Sequence, residues 1–152
     1  EIGEDPKGIP NNLFPLITQV AIKKRKTIQI YGKNWPTKDG TGIRDYIHVM
    51  DLAEGHKAAL EKLLSSEPQL LTANLGTGKG YSVLELINCF QEVTGKKIPF
   101  EIADRRPGDS AISIADPRWA NEYLGWKTSK SLVEMCRDGW NWQCSNPNGY
   151  LK

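Results

Sequence analysis

Three places in this sequence carry the residue types and spacing that bind anions. In "GTGIRDYIHVMDLAEGH" (residues 40–56), Arg44 and Asp45 stand between a glycine turn and the apolar run Tyr46–Met50. A run that reads as a buried strand opens with a charged pair either to cap a sheet edge or to deliver the pair to a ligand. The turn "RRPGD" (105–109) holds Arg105, Arg106 and Asp109 where a guanidinium and a carboxylate can be aimed together. Arginine suits bidentate phosphate recognition, and an aspartate suits paired ribose hydroxyls. Asn12 precedes a helical pattern, whose free N–H groups and positive dipole end make a ready phosphate site. Each feature alone is an ordinary surface feature. All three in one α/β chain define a candidate nucleotide diphosphate site.

Other motifs fall short of chemistry. "NLGTGKG" (74–80) follows a strand pattern and invites a nucleotide-loop reading. A Walker loop needs Ser or Thr after its Lys, whereas Lys79 precedes Gly80; for GxGxxG, Gly76 and Gly78 fit but position 81 is Tyr. A tight strand-to-helix turn explains it better. His48 and His56 have no Cys nearby, and His48, alternating with apolar neighbours, reads as a core or edge histidine. Cys89, Cys136 and Cys144 show no metal spacing and no disulfide framework, which fits a reducing, cytoplasmic setting. Neither a catalytic group nor a metal site is expected in this chain.

The elements that must position these residues follow from periodicity and caps. Leu13, Leu16, Ile17, Val20 and Ala21 recur at helical spacing behind an Asn cap, with Pro15 in the first turn where no donor is needed. "TIQIYG" predicts a strand, followed by a long turn. Arg44–Val49 predicts a second strand, leading to a helix capped by Asp51 with Glu54 three residues on. "QLLTANLG" predicts a buried strand. Ser82 and Glu85 predict a capping box on a helix that Gly95 stops. "IPFEIAD" predicts a strand, "DPRWANEYLG" a short helix with Pro at its first position, and Ser131 with Glu134 open the last helix. Strands alternating with helices between Arg44 and Thr94 argue for parallel βα units. The class is α/β, with few strands for a doubly wound sheet and a core expected to lean on a neighbour.

The bulk numbers set limits. At 152 residues the chain suits one domain, residues 1–152. A formal net charge of +2 argues against nucleic acid. The basic cluster Lys23–Lys26 follows a helical pattern, where cations complement the helix dipole. No apolar run approaches the ~20 residues that span a bilayer. The opening "EIGEDPKGIPNN", polar and without Met, reads as the middle of something longer.

"GEDPKGIPNNLFP", "GTGIRDYIHVMDLAEGH", "NLGTGKGYSVLEL", "RRPGD" and the closing "LGW…MCRDGWNWQ…NPNGY" together resemble the UDP-galactose (UDP-glucose) 4-epimerases. These belong to the extended short-chain dehydrogenase/reductase family. The resemblance runs from Glu1 to Tyr150, with the motifs in order. It implies the UDP-sugar-binding C-terminal portion, with βα units that pack on a Rossmann domain absent from this chain. The family's NAD loop and catalytic Ser/Thr and Tyr-x-x-x-Lys belong to that N-terminal half. NAD is therefore implied as a cofactor held mainly outside this chain, and the chain alone is expected to be inactive. In the family, a hydride passes from sugar C4 to NAD and returns to the other face of the rotated 4-ketose.

Carried onto this sequence, the resemblance assigns Asn12 and the Leu13 backbone to diphosphate and sugar. Gln29, Ile30 and Tyr31 become the edge meeting uracil through its backbone. Arg44 and Arg106 become the diphosphate clamp, with Asp45 as a possible orienter of Arg44, and Asp109 the ribose ligand. Ser113, four residues after Asp109, takes the position facing the sugar's 2-substituent, where a small residue leaves space for an N-acetyl group. The implied partners are UDP-galactose, UDP-glucose and UDP-N-acetylhexosamines, in a homodimer when complete, with no membrane and no nucleic acid. Two alternatives stand beside this: another extended-family nucleotide-sugar enzyme, such as a dehydratase or decarboxylase, and a non-catalytic nucleotide-sugar-binding module.

Overall fold

The computed structural model describes residues 2–6 and 8–150. Glu1 and Lys7, which fall in stretches that carry the resemblance, lie outside the described residues, as do Leu151 and Lys152. Five helices and five short strands are described: α1 (Leu13–Ala21), β1 (Ile28–Tyr31), β2 (Ile43–Arg44), α2 (Val49–Leu64), β3 (Tyr81–Ser82), α3 (Val83–Thr94), β4 (Phe100–Ala103), β5 (Ile112–Ser113), α4 (Arg118–Tyr123) and α5 (Leu132–Ser145). They build the α/β class read from the sequence. β1 pairs parallel with β4, Ile28 opposite Phe100. β2 lies between β3, antiparallel, and β5, parallel, with Arg44 opposite Ser113. No described helix is long and apolar enough to cross a membrane.

The core forms where α1, α3 and α5 cover β1. Ile17, Val20, Ile28, Ile30, Leu86, Ile87, Phe90, Ile98, Leu132 and Cys136 make one buried cluster. Phe90 joins its neighbours edge-to-face, with ring centroids 6.0 Å from Phe14 and 5.8 Å from Trp140, the arrangement the ring quadrupole favours. Cys89 and Cys136 face each other from α3 and α5 as free thiols, and burial pushes the Cys136 thiol up. Both predicted capping boxes form, Ser82 with Glu85 and Ser131 with Glu134. Gly95 ends α3 at φ 67° in the left-handed region.

Five sequence expectations fail, the first being the parallel βα reading between Arg44 and Thr94, where β2 and β3 pair antiparallel. Of the strand expected at Arg44–Val49, only Arg44 enters a ladder. The run is cut short because His48, not Asp51, caps α2: its Nδ1 accepts from the Met50 N–H at 3.0 Å. That leaves Nε2 to donate to Asp138 Oδ2 at 3.2 Å. "QLLTANLG" forms neither a strand nor a buried segment; Leu70 is 94% exposed. A strand needs a partner for its ladder groups, and none of the described strands lies beside it. Pro117 takes the cap position of α4 rather than the first helical one. α2 buries only Asp51 and Gly55 and leaves Val49, Met50, Leu60 and Leu64 exposed.

Candidate functional site: an arginine rim between two sheets

The site is built where the end of β1, the start of β2 and the 104–113 segment meet. β1 alternates strictly: Ile28 and Ile30 enter the core, while Gln29 and Tyr31 face outward. The Tyr31 hydroxyl donates to Gln29 Oε1 at 3.0 Å. The backbone alternates as well. Ile28 N–H donates to Pro99 O and Gly32 N–H to Ala103 O, so even-numbered residues serve β4. The groups of Gln29 and Tyr31 therefore point to the opposite edge, where no described strand pairs; Trp35 Nε1 donates to Tyr31 O there at 3.3 Å.

Arg106 spans the next gap. Its guanidinium lies over the Tyr31 ring, 4.6 Å from the centroid, while Nε and Nη2 donate to the Asp109 carboxylate at 2.9 and 3.3 Å. Arg44 approaches that same carboxylate from β2, Nη2 to Oδ1 at 3.7 Å. Its Nη1 is anchored on Ile43 O at 2.8 Å and Ser110 O at 3.0 Å. Ser113 is Arg44's ladder partner, so both side chains leave the sheet on one face; Ser113 is exposed. Gln29, Tyr31, Arg44, Arg106, Asp109 and Ser113 thus form a continuous rim. Ile30 belongs to the core by its side chain. Asn12 occupies the cap position of α1, but its side chain makes no capping hydrogen bond. No hydrogen bond or ion pair among the described residues joins Asn12 or Leu13 to the rim.

Two guanidinium groups converging on one carboxylate make a concentrated positive site. Both are partly solvated, so their attraction is screened until a ligand displaces water. Tyr46, just past Arg44, is half-buried, and burial pushes its phenol up to about 12 against the opposing pull of Arg44. Among the described residues, no three His, Cys, Asp or Glu side chains gather as a metal site.

Asp45 has a different role from the one the sequence reading gave it. It does not touch Arg44. Its carboxylate accepts from Thr77 N–H at 3.0 and 3.1 Å, Thr77 Oγ1 at 2.6 Å, Gly78 N–H at 3.0 Å and Ala115 N–H at 3.3 Å. The glycine loop "NLGTGKG" is therefore a structural turn, its amides engaged by an internal carboxylate. Asp51 acts alike, accepting from Ser129 N–H, Ser129 Oγ and Lys130 N–H at 3.1, 3.0 and 2.9 Å. Sequence spacing could not reveal either contact, since partners lie 32 to 79 residues away. A Tyr-x-x-x-Lys spacing does occur, at Tyr123 and Lys127. Tyr123 ends α4, stacks on Trp119 and lies under Lys62, and Gly125 at φ 66° breaks the helix before Lys127. The two do not share a helical face, as a base and its lysine would.

The α/β fold matches the C-terminal portion of epimerases of the extended short-chain dehydrogenase/reductase class. The chain belongs to the family described as GDP-mannose 4,6 dehydratase, which it matches over residues 3–139. It is 58% identical over 149 residues to the UDP-glucose 4-epimerase of Bacillus subtilis, covering 98% of this chain and 44% of that protein. The Drosophila melanogaster UDP-glucose 4-epimerase is 52% identical over 150 residues, covering 98% and 43%. The structure of the Bifidobacterium longum UDP-glucose 4-epimerase, solved with NAD+ and UDP, superposes with a TM-score of 0.93 at 48% identity, covering 98% of this chain and 44% of that one. The resemblance read from the motifs is borne out, and the chain spans under half the length of the relatives it matches.

Proposed function

We propose that this chain is the UDP-sugar-binding part of an NAD-dependent UDP-glucose/UDP-galactose 4-epimerase. The observation that carries the reading is the convergence of Arg44 and Arg106 on Asp109 beside the edge of β1 at Gln29 and Tyr31, where no described strand pairs. The open edge offers the alternating donors and acceptors that a uracil face matches. The two guanidinium groups match a diphosphate, and Asp109 matches the vicinal hydroxyls of a ribose. Asn12 and the Leu13 N–H, at an α1 start without a side-chain cap, supply a further anion contact. NAD falls to residues outside these 152, because the one glycine loop with the right look has spent its amides on Asp45. Supplied there, NAD takes and returns the hydride at sugar C4. The apolar outer face of α2 supports packing against the cofactor domain.

Ser113, small and exposed beside Arg44, leaves room for a 2-acetamido group, so N-acetylated UDP-hexoses are substrates too. The rival dehydratase reading shares the rim and differs in products. The test is direct. The intact native polypeptide, supplied with NAD, interconverts UDP-galactose and UDP-glucose, whereas the purified 152-residue chain binds UDP but does not turn over. A native mass of about 17 kDa with turnover equal to a complete epimerase refutes the assignment of the chemistry elsewhere. Loss of water from the sugar in place of epimerisation supports the dehydratase.

A further inference from the structure

The two adjacent arginines of "RRPGD" point at different targets, and only one of them is directed at the rim. Arg105 turns back onto the loop that leaves β1. Its guanidinium lies flat on Trp35, 3.8 Å from the ring centroid. Nε donates to Asn34 Oδ1 at 2.7 Å, and Nη2 donates to the Asn34 carbonyl. With one face on an aromatic ring and one edge bonded to Asn34, this guanidinium has lost the geometry for gripping a ligand in a fork. Arg106, one residue on, stacks on Tyr31 and holds Asp109.

The loop that receives Arg105 is itself fixed. Trp35 N–H donates to Gly40 O at 3.0 Å, and Thr37 Oγ1 donates to Thr41 O at 2.7 Å. Asp39 accepts from Thr41 N–H and Oγ1 at 2.9 and 2.8 Å and from the Ser82 hydroxyl that caps α3. These bonds outweigh the burial that raises its pKa, and hold it below the usual carboxylate range. Gly32, at φ 82°, makes the close approach possible: a Cβ there would lie 2.7 Å from both Arg105 Cγ and Trp35 Nε1. Trp35 also donates to Tyr31 O, the residue under Arg106. An unbroken path of contacts therefore runs from the α3 cap through Asp39, the 34–40 loop and Arg105 to the turn that carries Arg106 and Asp109.

We infer that Arg105 is a positioning residue: it locks the "RRPGD" turn onto the Asn34–Trp35 loop and so presets Arg106 and Asp109 for the nucleotide. The inference rests on the assignment of Arg106 to nucleotide binding, and the experiment separates the two. UDP affinity of the intact polypeptide is measured by titration calorimetry for Arg105→Ala, Arg106→Ala and the double variant, with melting temperatures alongside. Arg105→Ala weakens UDP binding by about 5- to 20-fold, at or below the low end of one charge-assisted hydrogen bond, as suits a residue that acts through its neighbour, while an exposed position leaves melting nearly unchanged. The double variant binds no more than about twofold worse than Arg106→Ala alone, because a residue acting through Arg106 has nothing left to position. Arg105→Lys recovers part of the loss, since an ammonium keeps the aromatic contact but not the two bonds to Asn34. Trp35→Ala reproduces the Arg105→Ala loss, and adding Arg105→Ala to it changes little.

Unchanged affinity in Arg105→Ala, with Arg106→Ala still impaired, overturns the positioning role alone. Additive losses in the double variant overturn it too, by making Arg105 an independent contact. Unchanged affinity in Arg106→Ala is a separate failure: it removes the nucleotide assignment, and the positioning role with it.

Discussion

Replacing Asp45 by Asn separates holding the loops from holding the ligand. The carboxylate takes four donors: the Thr77 N–H and hydroxyl, the Gly78 N–H and the Ala115 N–H. A hydrogen bond to a charged group contributes about 1.5–3 kcal/mol net, and such bonds are not additive at one acceptor. An asparagine keeps one oxygen for two of the donors and turns an NH2 group toward the others. The loss then corresponds to one or two charged bonds, about 2–4 kcal/mol before solvent makes up part at this half-buried site. Thr77→Val removes the 2.6 Å hydroxyl contact with Asp45 and the acceptor of the Lys79 N–H at 3.0 Å, and should cost about 1–3 kcal/mol. Urea denaturation followed by circular dichroism reads both, and the double variant should lose less than the sum. UDP affinity, measured well below the melting temperature, should stay within about twofold, since Asp45 makes no contact with Arg44. A stability loss under about 0.5 kcal/mol for Asp45→Asn refutes the loop role. A tenfold loss of UDP affinity in a folded Asp45→Asn restores the orienting role read from the sequence.

Three further outcomes follow from the rim and the caps. Arg44→Ala should weaken UDP binding by about 1.5–3 kcal/mol, with Arg44→Lys recovering only part, because an ammonium cannot reach Ile43 O, Ser110 O and a phosphate together; unchanged affinity on calorimetry removes Arg44 from the site. Ser113→Tyr should suppress turnover of UDP-N-acetylglucosamine while sparing UDP-galactose, since overpacking costs about 1–3 kcal/mol, and equal effects on both sugars in a coupled assay defeat the steric argument. Ser131's backbone N–H, then its hydroxyl, and Lys130 hold the Glu134 carboxyl down at about 2 from 4.5. A folded-state value below the unfolded one stabilises above pH 4.5, and the contribution is lost as pH falls toward 2. Glu134→Gln should therefore flatten the decline of melting temperature across that window, and an unaltered slope denies the box any part in it.

What the sequence made legible was local. Both Ser-x-x-Glu boxes, the Gly95 stop and the α1 and β1 patterns depend on residues within four positions of each other, and all formed. The rim was legible in part because "RRPGD" is itself a tight turn that brings Arg106 to Asp109 three residues on. That Arg44 would meet the same carboxylate depends on β2 lying beside β5, a pairing 69 residues apart that periodicity cannot announce. Arg105 stands next to Arg106 in the same turn, and its sequence position does not tell the two apart. Only the placement of Trp35 shows the two side chains parting.

The misread helix cap and the phosphate-loop look of the glycine turn have one cause. β2, β3 and β5 are two residues long, too short for ladders to hold the connecting loops. Backbone N–H groups in those loops still need acceptors, and Asp39, Asp45 and Asp51 supply them, six residues apart along one stretch. An anionic acceptor gathers several amides at once, as a phosphate does at a glycine loop. A loop built around an internal carboxylate therefore acquires the same glycines and the same converging amides as one built around a nucleotide. From the glycines alone the two look alike; here the missing Ser or Thr after Lys79 and Tyr81 in place of a glycine speak against the nucleotide. The difference lies in whether a carboxylate elsewhere in the chain can reach the loop, and at Thr77 and Gly78 one does. For that reason we propose the anion site at side chains with unspent donors, Arg44 and Arg106, rather than at the loop whose glycines look most like a phosphate cradle.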